Sequence, residues 1–235
     1  MLRLFLPQIC VHCGAHCDDS DAQQIPLAKY LCPICLRQFS LFQAPQQDDL
    51  IPKSSLFGEL PYEVSIHSSF AFQSGGIIQS LIHHFKYAEM PRLAGILGSE
   101  CAQRIGPIRG QYDLLVPVPL HRTRYSERGY NQSEMLARGI AARTSIPVAK
   151  KKHLRRIRQT PSQTGMTLGE REENVRGAFG LSPSAVEVFQ GKRVLILDDV
   201  MTTGATLASA AITLAGAKPK KIDLLAFAAV TETIS

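Results

Sequence analysis

The sequence has no hydrophobic run long enough to cross a membrane. Its longest apolar stretches, such as residues 224–230, are far shorter than the roughly 20 residues that a membrane helix needs. Residues 1–9 are too short and too poorly flanked to form a secretory signal peptide. These absences exclude an integral membrane protein, and we expect the chain to be cytoplasmic.

Two common phosphate-binding signatures are also missing. The sequence contains no Gly-x-x-x-x-Gly-Lys-Ser/Thr loop and no Gly-x-Gly-x-x-Gly segment. The first absence excludes a P-loop nucleotide hydrolase, and the second removes the usual fingerprint of a dinucleotide-binding fold. The chain does have 235 residues, of which 45% are hydrophobic, and this is enough for one medium α/β domain and a small extra module.

The clearest chemical signal is the segment of residues 194–206, which reads Val-Leu-Ile-Leu-Asp-Asp-Val-Met-Thr-Thr-Gly-Ala-Thr. Four consecutive aliphatic residues predict a strand that is buried on both faces of a parallel sheet and ends on two acids. The glycine and threonines that follow predict a tight loop, and the alanine-rich run after them predicts a helix. The backbone N–H groups at the start of such a helix can hold a phosphate.

The two acids of this segment indicate a ligand with hydroxyl groups. Carboxylates repel a phosphate but accept hydrogen bonds from a vicinal diol, so the whole segment fits a ribose 5-phosphate. A Walker B strand also ends in acids, but it needs the P-loop that is missing here. The residues assigned to this ligand site are Asp198, Asp199, Val200, Met201, Thr202, Thr203, Gly204, Ala205 and Thr206.

Two Cys-x-x-Cys pairs near the start of the chain predict a metal site. Cys10 and Cys13 are separated by eighteen residues from Cys32 and Cys35, a spacing that suits a tetrahedral zinc ion held by four thiolates. A redox disulfide is the alternative, but no thioredoxin-like βαβ pattern surrounds either pair. His12, His16 and Cys17 lie close enough to be substitute ligands. We predict that residues 1–45 form a small zinc module, residues 46–60 a linker and residues 61–235 the main domain.

A basic segment follows the predicted strand of residues 112–118. It contains Leu120, His121, Arg122, Arg124 and Arg128, and it precedes a predicted helix of residues 133–143. Ligands of α/β folds bind where strands end, so this segment could receive a pyrophosphate. The alternative is an ordinary solvated turn.

A second basic run extends from residue 150 to residue 158. Its residues Lys151, Lys152, Arg155 and Arg156 are candidates for contacts with single-stranded DNA, although a basic run of this kind can also be a solvated face. The loop after it, residues 159–168, is rich in turn-forming residues. Other predicted elements are strands within residues 62–72, helices at residues 77–87 and after Pro91, and a last strand at residues 221–230.

Several of these motifs resemble those of known families. Residues 198–206 resemble the phosphoribosyl-pyrophosphate (PRPP) loop of type I phosphoribosyltransferases. Together with the cysteine pairs, Pro117-Val-Pro119, Arg128-Gly-Tyr-Asn131-Gln132, Thr160-Pro-Ser-Gln163 and Arg171-x-x-Asn174-Val175, they resemble the ComF family over nearly the whole chain.

The resemblance implies a zinc ribbon joined to a phosphoribosyltransferase-like parallel sheet flanked by helices. It also implies PRPP bound with Mg²⁺, a role in bringing single-stranded DNA into the cytoplasm, and partners such as a DNA-uptake helicase or other competence proteins. No acceptor pocket is visible in the sequence. Two hypotheses therefore stand, a PRPP-binding DNA-uptake protein and an active phosphoribosyltransferase of nucleotide metabolism or salvage.

Overall fold

A computed structural model describes residues 8–17, 25–50, 52–87, 90–106, 108–161 and 165–231, so Ser162 and Gln163 of the motif named above lie outside the described residues. The helices are α1 Pro33–Leu41, α2 Ile77–Tyr87, α3 Pro91–Arg104, α4 Arg122–Arg128, α5 Gln132–Thr144, α6 Leu168–Val175, α7 Ala185–Phe189 and α8 Ala205–Ala215. The strands are β1 Ile66–Ala71, β2 Leu114–Pro117, β3 Leu154–Arg156, β4 Phe179–Leu181, β5 Arg193–Met201 and β6 Lys221–Ala229. None of the helices in these ranges is long and apolar enough to reach across a bilayer.

The centre of the protein is a parallel sheet of four strands in the order β1-β6-β5-β2. β5 pairs with β6 along its whole length and with β2 over its first half. A separate antiparallel pair, β3 and β4, lies outside this sheet. Helices cover both faces of the parallel sheet, as its hydrophobic strands require. The α/β parallel-sheet fold expected from the sequence is confirmed.

The sequence of β5 explains how both faces of the sheet are filled. Leu195 and Leu197 belong to the core shared with α2, α3 and α5, whereas Val194 and Ile196 belong to the core shared with α7 and α8. All four side chains are fully buried. Because successive residues of a strand point to opposite faces, an uninterrupted aliphatic run is what a sheet covered on both sides needs.

The strand β5 extends further than the sequence pattern predicts. It continues through the two acids to Met201, because Val200 and Met201 still pair with Ala228 and Ala229 of β6. The two acids therefore lie on a strand, and the loop before α8 is reduced to residues 202–204. The predicted strands within residues 62–72 form a single strand, β1.

Helices α3 and α5 pack at unusually short range. A Cβ atom placed on Gly98 would overlap the carbonyl oxygen of Leu136, and one placed on Gly139 would overlap that of Gly95. Glycine permits this approach because it has no side chain. The contact holds α5 so that its first turn faces the carboxyl ends of the central strands.

The N-terminal segment packs directly on the sheet domain. The ring of Phe39 in α1 lies 5.2 Å from that of Phe70 in β1. Arg104, at the end of α3, stacks on both rings and donates hydrogen bonds to the carbonyl oxygens of Phe42 and Phe39 at 2.7 and 3.3 Å. Residues from both parts of the chain thus share one buried core.

Residues 52–60 lie against the loop that precedes α8. The backbone N–H of Ser54 donates to the carbonyl oxygen of Thr203 at 3.1 Å, and the ring of Phe57 lies over Gly204. Ser55 is held by the Glu172 carboxylate at 2.6 and 2.8 Å. The division at residues 45 and 60 stays a prediction, but this part of the proposed linker is in contact with the predicted ligand loop.

Candidate functional site

The carboxyl ends of the central strands open into a cleft of about 520 Å³. This is the edge at which α/β sheets bind their ligands. Two acids, Asp198 and Asp199, lie in the cleft. The basic side chains that line it are Lys86, Arg124, Arg128, Arg156 and Arg171. The acid-threonine segment and the basic segment after β2 therefore meet in one place with a net positive charge.

The loop of residues 202–204 connects β5 to α8 at one end of the cleft. Gly204 caps α8 with a φ of +81°, a conformation that residues with a Cβ rarely adopt. Arg171 of α6 donates to Thr202 Oγ1 at 2.7 Å. A cup of about 20 Å³, lined by Asp198 and residues 200–207, lies at the start of the helix. An anion in this cup would meet the positive end of α8.

The two acids have different partners. Asp198 accepts hydrogen bonds from Ser133 Oγ at 3.0 Å and from the backbone N–H of Asp199 at 2.9 Å. Asp199 forms an ion pair with Lys86 of α2, with 2.9 Å between Oδ2 and Nζ. Burial and the neighbouring charge of Asp199 raise the pKa of Asp198 to about 7. The charge of the acid pair therefore changes close to neutral pH.

The raised pKa of Asp198 predicts a stability change with pH. The unfolded chain releases this proton near pH 4, whereas the folded protein keeps it until about pH 7, so this group lowers stability as pH rises through that window. Asp198→Asn is never charged and should therefore raise the melting temperature at about pH 8 while changing it little near pH 4 and below. Thermal unfolding of both proteins across this range measures the difference.

Asp113 provides a control, because its pKa is shifted in the opposite direction to that of Asp198. Its hydrogen bonds from Arg193, at 2.7 to 3.2 Å, hold the pKa of the Asp113 carboxyl well below its usual range. This group adds stability above its unfolded-state pKa, so Asp113→Asn should lower the melting temperature at pH 8. Equal melting temperatures of Asp198→Asn and wild type at every pH would contradict the raised pKa.

Arg156 lines the cleft and has one unpaired donor atom. Its guanidinium donates to Thr160 Oγ1 at 2.5 Å and stacks on Phe179 at 5.4 Å. Its Nε is buried and has no hydrogen-bond partner among the residues that the structure describes. Buried N–H groups are nearly always hydrogen-bonded, so this one is an exception among the buried donors of the described residues.

The residues predicted to receive a pyrophosphate are mostly gathered in the cleft. Leu120, His121, Arg124 and Arg128 line it. Arg122 is exposed on α4 and is not part of the lining. Pyrophosphate binding by this group stays a prediction.

The residues predicted to contact DNA do not share one surface. Lys151, Lys152 and Arg155 are exposed, and Lys151 Nζ lies 4.9 Å from the ring of Tyr125. Arg156 points into the cleft instead, because neighbouring residues of β3 face opposite sides. DNA binding stays a prediction, and it now concerns the three exposed residues.

Sequence reasoning missed three residues of the site. Lys86 pairs with Asp199, Ser133 bonds to Asp198, and Phe57 covers Gly204. The Asn-Gln-Ser sequence at the start of α5 is a helix-capping signal that could have drawn attention to Ser133. No sequence pattern distinguishes Lys86 or Phe57 from ordinary helix and loop residues.

The four predicted metal ligands come together. The Sγ atoms of Cys10, Cys13, Cys32 and Cys35 all lie within 4.8 Å of one another, and those of Cys13 and Cys32 are 3.6 Å apart. Tetrahedral thiolates with metal–sulfur bonds of about 2.3 Å would be about 3.8 Å apart, so the cluster fits such an ion. His12 lies outside the cluster, with its Nδ1 3.0 Å from Ser80 Oγ.

Comparison with known proteins assigns the C-terminal part of the chain to a domain family. Residues 131–234 match the phosphoribosyl transferase domain. The chain is 37% identical to competence protein F of Haemophilus influenzae over 95 residues, which are 40% of this chain and 41% of that protein. It is 30% identical to the DNA utilization protein YhgH of Escherichia coli K12 over 139 residues, covering 57% and 59% of the two chains. The competence protein ComFC of Bacillus subtilis is 22% identical over 183 residues, covering 77% of this chain and 70% of that one.

The chain is similar to competence proteins F and ComFC over part of its length. The ComF resemblance drawn from the motifs is thereby confirmed, together with a phosphoribosyl transferase domain and an N-terminal cysteine cluster. The matches span about two fifths to three fifths of the length of competence protein F and YhgH. Among solved structures, a glutamine PRPP amidotransferase from B. subtilis, complexed with ADP and GMP, is 22% identical to this chain with a TM-score of 0.41. The match covers 62% of this chain and 30% of the amidotransferase chain. This likeness supports no conclusion about ligands.

Proposed function

We propose that the chain binds PRPP in the cleft at the end of its central sheet. The observation that carries this proposal is that the phosphate cup, the acid pair and five basic side chains line adjoining parts of one cleft. The 5-phosphate would occupy the cup at the start of α8, and the ribose hydroxyls would donate hydrogen bonds to Asp198 and Asp199. The pyrophosphate would then face the basic side chains of Arg124, Arg128 and Arg156.

Mg²⁺ is the proposed companion of PRPP in this site. The ion would offset the charge of the pyrophosphate, and the two carboxylates supply the oxygen ligands that it prefers. Lys86 forms an ion pair with Asp199 in the structure. A ribose hydroxyl or Mg²⁺ that binds the Asp199 carboxylate would therefore compete with Lys86 for it.

PRPP binding is tested by a shift in melting temperature. A ligand that binds the folded state stabilises it by about 2.7 kcal/mol at a concentration one hundred times its Kd, so PRPP with Mg²⁺ should raise the melting temperature clearly. A protein carrying Asp198→Ala and Asp199→Ala should lose this shift. The matched control carries Glu127→Ala and Glu187→Ala, two exposed acids outside the cleft, and should keep it. An unchanged shift in the Asp198/Asp199 variant would place the ligand elsewhere.

Phosphoribosyl transfer is the second candidate function, and the intact acid pair next to a phosphate cup favours it. In such a transfer the bond between the ribose anomeric carbon and pyrophosphate breaks while a nucleophile bonds to that carbon. The chain would contribute positioning and charge stabilisation of the leaving pyrophosphate. Release of pyrophosphate from PRPP, measured with a panel of bases and amines, distinguishes turnover from binding alone.

The proposed cellular role is the uptake of single-stranded DNA into the cytoplasm. The support for it is similarity to proteins named for competence and DNA utilization. A DNA-uptake helicase or other competence proteins are the proposed partners. The four thiolates would hold one structural zinc ion in the N-terminal segment.

The proposed DNA surface consists of the exposed residues Lys151, Lys152 and Arg155. Each phosphate neutralised on a single strand contributes about −0.7 to the log–log slope of affinity against salt. Replacing all three residues by glutamine should weaken binding of an oligothymidylate and make this slope shallower by up to about 2. The charge-matched control replaces Arg109, Lys192 and Lys220, which lie at the opposite, amino-terminal ends of the strands. Equal slopes for the two triple variants would show that the basic run is a solvated face.

A further inference from the structure

Helix α6 is hydrogen-bonded to both segments that shape the phosphate cup. Its residue Arg171 donates to Thr202 Oγ1, in the loop before α8, at 2.7 Å. The carbonyl oxygen of Val175, the last residue of α6, accepts a hydrogen bond from Ser209 Oγ of α8 at 2.6 Å. The loop and the helix that follows it are therefore both attached to α6.

A surface segment, residues 52–60, is attached to the same helix, and we call it the strap. Ser55 donates from its backbone N–H and from its hydroxyl to the Glu172 carboxylate of α6, at 2.6 and 2.8 Å. Arg176, the residue after α6, donates two hydrogen bonds to the Glu59 carboxylate at 2.9 and 2.7 Å. A bidentate pair of this kind fixes orientation as well as distance. These two contacts hold both ends of the helical turn of residues 55–59.

Between these two contacts the strap closes a small core of its own, which also includes residues of α6 and α8. The buried members of this core are Leu56, Val175, Ala205 and Ala208. The next residue of the strap, Phe57, packs against this core and lies over Gly204. None of the residues 52–60 lines the cleft or the cup. The strap thus supports the phosphate loop from behind, without facing its ligand.

The polar contacts of the strap are poorly placed to stabilise the whole fold. The side chains of Glu59 and Arg176 are 44% and 49% exposed, and exposed ion pairs add little to folding stability. What this pair does fix is the position of Phe57 over a glycine with a left-handed backbone. The conformation of that glycine sets the direction of the first N–H groups of α8, on which anion binding depends.

We propose that Glu59, Glu172 and Arg176 are positioning residues, which act through the strap to hold the loop of residues 202–204 in its anion-binding conformation. Loss of either polar contact would release the strap, and the loop would then move although every residue of the cup is unchanged. The proposal deepens the proposed function, because its ligand measurement rests on PRPP binding in the cup.

Exchange of the two charges tests the ion pair. Glu59→Arg and Arg176→Glu each place like charges opposite one another, which repel and should release the strap. Each single variant should weaken the binding of PRPP with Mg²⁺, measured by titration calorimetry, by about threefold to thirtyfold. The double variant restores opposite charges at the two positions and should recover most of the lost affinity.

The signs of the two single changes separate positioning from a direct effect of charge. An added positive charge would by itself favour an anionic ligand, and an added negative charge would disfavour it. Release of the strap weakens binding in both cases. Glu187→Arg and Arg109→Glu make the same two charge changes at exposed positions outside the strap and the cleft, and they measure the direct effect.

The contact between Ser55 and Glu172 has a matched control in the adjacent residue. Glu172→Ala removes the acceptor of both Ser55 hydrogen bonds and should weaken PRPP binding to a similar extent as the ion-pair variants. Glu173→Ala makes the same change at an exposed neighbour on the same helix and should bind PRPP like the wild type.

Hydrogen exchange of the ligand-free protein provides a measurement that does not depend on PRPP. Residues 54–57 and 205–208 should exchange faster in Glu59→Arg and in Arg176→Glu, and at the wild-type rate in the double variant. The melting temperatures should change little, because the altered side chains are exposed.

Two results would overturn the proposal. One is wild-type exchange at residues 205–208 in both single variants, and the other is a double variant whose affinity loss equals the combined losses of the single variants. If the wild type itself binds no PRPP, the proposed ligand is wrong, and the exchange rates alone then decide whether the strap positions the loop.

Discussion

Loss of metal from the four-cysteine cluster is expected to unfold the N-terminal segment and to destabilise the sheet domain with it. Apart from the cysteines, the large buried apolar side chains described in residues 8–42 are Leu27, Leu31 and Phe39. So small a core cannot hold a fold alone, whereas structural zinc contributes about 10–16 kcal/mol of apparent binding free energy in small domains. Phe39 and Arg104 connect this segment to Phe70 of β1, so its unfolding exposes part of the main core.

The measurement combines elemental analysis, hydrogen exchange and thermal unfolding. Cys32→Ser should lose the zinc, lose exchange protection in residues 8–17 and 25–42 and lower the melting temperature of the whole chain. Cys17→Ser makes the same chemical change in the same segment but outside the cluster, and it should keep the metal. A Cys32→Ser protein that retains both its zinc and its protection would contradict the four-thiolate site.

The ligand loop was predictable because its signals are local. Four aliphatic residues, two acids and a glycine between threonines specify a strand, a turn and a helix start without help from distant residues. The cysteine cluster was predictable for a similar reason, since the spacing within each pair already matches a metal knuckle. The position of the basic segment after β2 was predictable because parallel strands end at one edge of the sheet.

The parts that were missed depend on contacts between distant residues. Lys86 reaches Asp199 because α2 packs on β1 and β6, and Phe57 reaches Gly204 because residues 52–60 fold back onto α8. Arg156 was grouped with its basic neighbours by sequence, although strand alternation turns it away from Arg155 and into the cleft. Composition alone also gave no sign that residues 52–60 pack against the ligand loop.

Gly204→Ala is expected to abolish PRPP binding and to lower stability. The residue has a φ of +81°, and a Cβ atom there would lie 2.7 and 2.9 Å from two ring carbons of Phe57. The backbone strain and the steric conflict each cost about 1–3 kcal/mol. Relief of the conflict moves either the loop that forms the phosphate cup or the segment that covers it, so the thermal shift with PRPP and Mg²⁺ should disappear.

Two comparisons separate the causes of this effect. Gly191 has a similar φ of +70° with nothing within 4 Å of an added Cβ, so Gly191→Ala carries the backbone cost alone and should still bind PRPP. Phe57→Ala removes the ring that meets the new methyl group. If the contact with Phe57 is what distorts the loop, the double variant Gly204→Ala/Phe57→Ala should lose less stability than the two single variants lose in total. Changes to neighbouring residues that share a contact are not additive. Strict additivity would mean that Phe57 does not hold the loop, and the loss of PRPP binding would then follow from the left-handed backbone of Gly204 alone.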